Sequence, residues 1–367
     1  MIIRTCLLSL LLWLAHSTVS WAKPVHVLYV PAGQTGYWHD TTVPMPTVAQ
    51  RLGIKLTIFP SHPRLRSYAD SLNKALSANP KPDWVIWAQR RVSNVPTLET
   101  LKKHAIKSID ITSGTSSKEQ ATIGFPQQNY PNWKAQILSD EFLAGKKIAI
   151  ELIERKRQIN SKNALTLAAI AGTRMTYAAQ QTIAGLNDAF TYKPNNARLL
   201  QTVFTTWHRD LSKQTAQKLL SRHNQIDLFW AANPNIALGI IDHLNTQNWQ
   251  THSKPLVANF GLNPQSRQAI IQDELAFSMV GNHLNGVWAL ILIHDIEHGV
   301  TFNNTPAQTI LKAPYFLADK NNLKFVDAMM SADFWQKAKI KQYSKYYNPN
   351  IKNYNFDVSL LQTSTSQ

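Results

Sequence analysis

Five residues, "HDIEH" at 294–298, have the types and spacing of a zinc hydrolase. Two histidines four apart share a helix face and can hold the metal, while the glutamate between them polarises a water. The same letters close a helical stretch just before Gly299, where cations complement the helix dipole and interleaved acids make a solvated end. A chain with twelve histidines produces such a pentad by chance. The helix-end reading is preferred, and a hydrolase built on His294, Glu297 and His298 is kept as the rival.

Other catalytic patterns fail on their own chemistry. The glycines of "GQTG" at 33–36 lack both the G-x-G-x-x-G spacing of a dinucleotide turn and the lysine of a phosphate loop. No G-x-S-x-G elbow occurs, and the hydroxyl-rich "ITSGTSS" at 111–117 has no evident histidine and acid companion, which leaves it a turn. Asp140 and Glu141 stand where a helix should begin, so capping accounts for them. No catalytic residue, cofactor or metal is expected.

What remains is the chemistry of binding. Short β-rich apolar runs occur at 25–30, 55–59, 84–88, 107–111, 165–171, 199–204, 228–232, 256–260 and 276–280. Amphipathic stretches with helical spacing, such as "RSYADSLNKALSAN" and "AAQQTIAGLNDAF", lie between them. Strand-helix repetition of this kind builds a parallel, doubly wound α/β sheet. An irregular stretch at 112–131 separates a first set of four strands from a second of about four, which suggests two lobes joined near 136–139. The apolar helix "HLNGVWALILIHDIEHG" follows the second set and is expected to cross back to the first lobe.

In open α/β sheets ligands sit beyond the carboxyl ends of the strands. The residues there are Gln34, Tyr37 and Trp38; Gln89 and Arg90; Thr112 and Ser113; Thr173 and Arg174; Asn233; Gly261 and Asn263; and Gly281, Asn282 and His283. Amides, hydroxyls and a guanidinium that donate, accept or clamp, with rings for apolar faces, suit a small polar ligand carrying hydroxyls.

Thirty-eight Lys and Arg against 22 Asp and Glu give a net charge of +16, but the cations are dispersed and no basic-aromatic platform appears, so nucleic acid is not an expected partner. The chain opens with Arg4, an apolar run at 7–14 and small residues before Ser20-Trp21-Ala22, the pattern of a secretory signal peptide cut after Ala22. That run is shorter than the ~20 residues a membrane span needs. The only cysteine, Cys6, lies in this leader, so the mature protein relies on its core, and its length is ample for two domains.

Five segments in order, "KPDWVIWAQ" at 81–89, "LSDEFLAGKKIAIELI" at 138–153, "IAGTRMTYAAQQTIAGLNDAF" at 170–190, "IDLFWAANPNIALGIIDHL" at 226–244 and "GNHLNGVWALILIHDIEHG" at 281–299, carry a resemblance. From about 25 to 299 the chain resembles type I periplasmic binding proteins of the sugar-binding group that includes ribose-binding proteins and the autoinducer-2 receptor. The resemblance implies two Rossmann-like lobes joined by a three-crossover hinge that close on a ligand. It implies lobes of 23–139 plus about 282–305, and of 140–281 plus about 306–345, with a leader at 1–22 and a tail at 346–367.

Carried over by position, Tyr37 and Trp38 fall where the family places aromatics against the ligand, and Gln34 is similar to a ligand-touching glutamine. Phe260 matches a stacking aromatic, Asn233 a hydrogen-bonding asparagine and Asn282 a polar contact at the last crossover. With Gln89, Ser113, Arg174 and Asn263 these make the expected binding set. Pro234 and Gly261 stand where relatives carry aspartate, and 178–180 lacks the family's arginine while Arg174 lies close by. A sugar or sugar derivative, anionic or oxidised by this reasoning, is the ligand the pattern suggests. The resemblance further implies a periplasmic monomer serving an inner-membrane ABC permease, or alternatively a periplasmic sensor domain of a signalling receptor.

Overall fold

The computed structural model describes residues 23–60, 68–78, 80–88, 94–111, 114–159, 164–191, 196–249, 254–301 and 306–362. The leader, Gln89, Arg90, Thr112 and Ser113 lie outside the described residues.

The first sheet contains β1 (His26–Val30), β2 (Lys55–Ile58), β3 (Trp84–Trp87), β4 (Lys107–Asp110), β5 (Trp133–Ser139) and β11 (Ile310–Ala313), in the order β11-β5-β4-β3-β1-β2. The second contains β6 (Leu165–Ala171), β7 (Ala197–Phe204), β8 (Leu228–Ala231), β9 (Leu256–Phe260), β10 (Phe277–Val280) and β12 (Phe316–Ala318), in the matching order β12-β10-β9-β8-β6-β7. Among the described strands only the pair of β10 with β12 is antiparallel. In each lobe the order reverses beside the first strand, which opens a crevice at the carboxyl ends.

Burial on both faces explains why the strands read as continuous apolar runs. Side chains alternate across a strand, so Val27 and Tyr29 enter one core with Trp84 and Ile86, while Leu28 and Val30 enter the opposite one with Val85 and Trp87. Helices cover both faces. In the first lobe α1 (Tyr37–Thr42), α2 (Met45–Arg51), α3 (Tyr68–Ala78), α4 (Val95–Lys103) and α5 (Ser117–Ile123) follow the early strands. In the second α6 (Glu141–Ile159), α7 (Tyr177–Asp188), α8 (Arg209–Arg222), α9 (Pro234–Leu244) and α10 (Pro264–Ile271) do so. The backbones of α6 and α7 nearly touch: a Cβ at Gly145 would lie 2.1 Å from the Thr182 carbonyl oxygen. The apolar α11 (Asn285–Glu297) does return to the first lobe, where Val287 through Ile293 are buried.

The chain passes between the lobes at Asp140, again between Gly281 and Asn285, and again at Pro314 and Tyr315. These passages are bound together: the Asp140 N–H donates to the Ala313 carbonyl at 2.9 Å, and Asn285 donates to the Ile111 carbonyl at 2.9 Å and to Ser139 Oγ at 3.1 Å.

Three differences from the sequence reading have physical causes. The joint expected near 136–139 falls just after them, at Asp140: residues 136–139 end β5, a strand that escapes notice because Lys134 and a buried Gln136 interrupt its apolar pattern. The stretch at 112–131 contains α5, capped where Ser116 Oγ accepts from the Glu119 N–H. The C-terminal division also changes. β11 belongs to the first sheet, and after β12 residues 319–327 are tied to the second lobe by Asp319 with Arg155, Lys320 with Asp273 and Asp327 with Arg267. After α12 (Leu323–Ala328), from Met329 onward and through α13 (Ala332–Lys337) and α14 (Ser359–Gln362), the chain enters the first lobe's core with Phe334, Trp335, Tyr343, Phe356, Val358 and Leu361. Residues 306–345 therefore serve both lobes, and 346–362 is packed structure whose aromatic residues are spaced too irregularly to show a period.

Candidate functional site

The turn after β1 is built on Gly36, whose φ of +56° favours glycine. It starts α1 with Tyr37 and Trp38, whose rings meet edge to face at 4.9 Å. Trp38 folds back over Gly33, where an added Cβ would lie 2.4 Å from its ring, and packs against the first lobe's core. Tyr37 is half-buried. Burial pushes its hydroxyl up, with a further push from the negative charges of Glu141 and Asp110. The expected ring pair therefore divides: Trp38 is largely packing, and Tyr37 looks across to the second lobe.

Glu141 is that counterpart. It opens α6 at the first passage, and the Tyr315 hydroxyl from the third passage donates to its Oε1 at 2.9 Å. Burial raises the carboxyl to about 8 against the pull of the Tyr315 hydroxyl and the Lys312 charge, and Asp140 adds to the rise. Tyr315 continues a ring contact into the second lobe, edge-on to Phe260 at 5.7 Å, and Phe260 meets Trp230 at 5.3 Å. Phe260 itself is only 7% exposed, so the expected stacking aromatic is a core ring held between Trp230 and Tyr315.

The second lobe brings its remaining strand ends to the same side. Asn233 caps α9 with its Oδ1 accepting from the Ile236 N–H at 2.8 Å. Asn263 makes a reciprocal capping box with Ser266 on α10. Between them Gly261 has φ +71°, and its carbonyl accepts from Asn259 and Ser278. Asn282 begins a short 3-10 turn after Gly281 and is half-buried. Its neighbour His283 is pushed down to about 4 by burial, and His283 Nε2 lacks a partner among the described residues. Arg174 is exposed, with its guanidinium over the Phe204 ring at 4.3 Å.

Besides Tyr315, further features of the site lay outside the sequence reading. Tyr177, at the start of α7, lies so close over Gly114 of the first lobe that a Cβ there would fall 1.8 Å from its ring. Asp110, at the end of β4, is fully buried and accepts from Gln136 Nε2 at 2.6 Å. Nearby, Tyr68 donates to the Val30 carbonyl and accepts from the Ala88 N–H at 3.2 Å, joining the ends of β1 and β3. An acid at a strand end is visible in the sequence, and Asp110 is one.

The zinc constellation comes apart. Glu297 accepts from Trp84 Nε1 at 2.9 Å and from Lys107, at the opposite ends of the strands from the crevice. His298 Nδ1 donates to the His294 carbonyl at 2.7 Å, and the two rings stack at 4.1 Å. Among the described residues no group of three His, Cys, Asp or Glu is placed to hold a metal.

The crevice thus draws residues from both lobes and from the passages near 140, 282 and 315, and a family model described as a periplasmic binding protein domain matches residues 27–290. The chain belongs to the periplasmic binding protein family. Solved structures share this periplasmic binding protein's fold. A periplasmic sugar-binding protein from Pseudomonas fluorescens is 21% identical with a TM-score of 0.74, over 92% of this chain and 99% of its own. A solute-binding protein from Agrobacterium radiobacter in complex with D-arabinose is 15% identical with a TM-score of 0.65, over 85% and 100%. One from Actinobacillus succinogenes with bound D-allose is 17% identical with a TM-score of 0.64, over 83% and 100%. No curated protein matches the sequence.

Proposed function

We propose that this protein binds one small, neutral, hydroxyl-rich molecule of sugar class between its lobes, and by closing presents it to an inner-membrane ABC permease. The observation that carries this is the convergence of Tyr37 from the first lobe, Glu141 and Tyr315 from two passages, and Tyr177 against Gly114 across the lobes. Hydroxyl and carboxyl groups beside aromatic rings suit sugar hydroxyls and apolar sugar faces. Sugars bound in the structural neighbours support the class.

A neutral ligand fits better than an anionic one. The acidic residues beside the passages are Asp110, Asp140 and Glu141, the last held protonated by burial with Lys312 near it, while Arg174 rests on Phe204 at the exposed approach to α7. Export to the periplasm and cleavage after Ala22 belong to the same reading. A thermal-shift panel of neutral sugars, polyols and sugar acids tests it, since a tight ligand raises the midpoint. A shift with a neutral sugar and none with its acid is expected. The absence of any shift in folded, ligand-free protein would remove the proposal.

A further inference from the structure

The last part of the first lobe carries a surface that ligand binding does not use. Between 337 and 352 the chain has five lysines, and no Asp or Glu occurs from 334 to 356. In "KAKIK" exposure alternates: Lys337, Lys339 and Lys341 are exposed while Ala338 and Ile340 are buried. The three ammonium groups therefore share the outer side of one strip. Beside them Tyr346 and Tyr347 are 46% and 39% exposed, with Lys341 Nζ 4.3 Å from the Tyr347 ring centroid.

The strip is held in shape from beneath. Arg51 donates to the Trp335 carbonyl at 2.5 Å and to the Ala338 carbonyl at 2.6 Å. Buried Asp295 accepts from Ser344 Oγ, from the Lys345 N–H at 2.6 Å and from the Tyr354 hydroxyl at 2.8 Å. Tyr346 packs on His298 at the far end of α11, a helix of 13 residues and so about 20 Å long. The surface therefore lies at the end of the lobe away from the passages, where occupancy leaves the crevice free.

We propose that this strip docks the protein on an anionic phospholipid bilayer. Lysines flanking exposed tyrosines match a membrane interface: the ammonium groups meet acidic headgroups while the rings settle at their level. A protein partner fits less well, because lysine is depleted from protein–protein interfaces and arginine enriched, and the strip holds no arginine. Among the described residues no helix is long and apolar enough to cross a membrane, so the contact is peripheral.

Cosedimentation of the whole protein with phosphatidylcholine vesicles, with and without phosphatidylglycerol, tests this. Binding is expected only with the anionic lipid and should weaken as salt rises. Each lysine near the surface contributes about fivefold, so Lys337→Gln with Lys339→Gln and Lys341→Gln lowers partitioning by about a hundredfold. Tyr346→Ser with Tyr347→Ser also weakens it while leaving the salt dependence in place. The control replaces exposed Lys74, Lys213 and Lys218 by glutamine and keeps binding. Absence of binding to anionic vesicles, or an equal loss in the control, would overturn the proposal. So would binding to soluble polyglutamate as tight as to the vesicles, which would assign the strip to an acidic protein.

Discussion

Replacing Glu141 by glutamine should make the protein more stable at alkaline pH and change little at acidic pH. Its carboxyl stands at about 8 here against a usual 4.5, with burial as the leading cause. The folded form therefore holds a proton that the unfolded chain releases. Such a group's contribution is fully present below about pH 4.5 and is lost as pH rises through about 8. The whole displacement amounts to ~5 kcal/mol at 1.36 per unit. Glu141 keeps part of its surface in water, so we take about half of that, roughly 2–3 kcal/mol. The same sign applies to any opening of the lobes that wets the site: ionisation favours the open form. The assay is the thermal midpoint of both proteins across about pH 5 to 9, and at about 2–4 °C per kcal/mol the gap should grow by several degrees toward the alkaline end. Parallel curves for wild type and Glu141→Gln would refute the reasoning.

His283 carries the opposite sign. Burial holds it at about 4 against 6.5, so its contribution is present above about pH 6.5 and is lost as pH falls toward 4; in His283→Gln, acid unfolding should shift to lower pH, and an unchanged acid limb would count against its burial. Gly114→Val puts atoms into the Tyr177 ring across the lobes, so ligand affinity should fall at least tenfold with the midpoint nearly unchanged, as measured by calorimetry; undiminished affinity would show that this contact is dispensable. Trp335→Ala should cost about 3–5 kcal/mol in denaturant unfolding if the C-terminal segment is core, whereas a loss under about 1 would mark it as a tail. Arg267→Ala cuts the tie to Asp327 on the segment that runs from the second lobe to the first, and small-angle scattering of the ligand-free protein should then report a larger radius; an identical profile would deny that segment a share in restraining the lobes.

Much of the architecture was legible because buried parallel strands must be apolar throughout. "VHVLYV" and "WVIW" are buried on both faces, and such runs stand out wherever helices of regular spacing separate them. β5 did not, since Gln136 is paired to Asp110 from the neighbouring strand and no local pattern reports a partner 26 residues away. The three- and four-residue strands β12 and β11 were too short to carry any period. Of the ligand set, Gln34, Tyr37, Asn233, Asn263 and Asn282 fall after the strands of the two sheets. Phe260 was readable as an aromatic at a strand end, but only the arrival of Tyr315 from a distant passage turns it into a core ring.

By itself the sequence determined the α/β class, the pairing of two similar lobes, the return of α11 and a crevice rim of amides and rings, because each follows from local periodicity and from where strands end. Tertiary structure alone decided the state of Glu141. As a residue at a helix start it is an ordinary solvated acid, and it becomes a neutral, buried one when passages from 140 and 315 bring Tyr315 and Tyr37 around it. Desolvation is a property of everything packed nearby, which no stretch of chain contains on its own. The same holds for "HDIEH": its letters permit zinc, and the packing of Trp84 and Lys107 against Glu297 assigns them to the lobe's outer end.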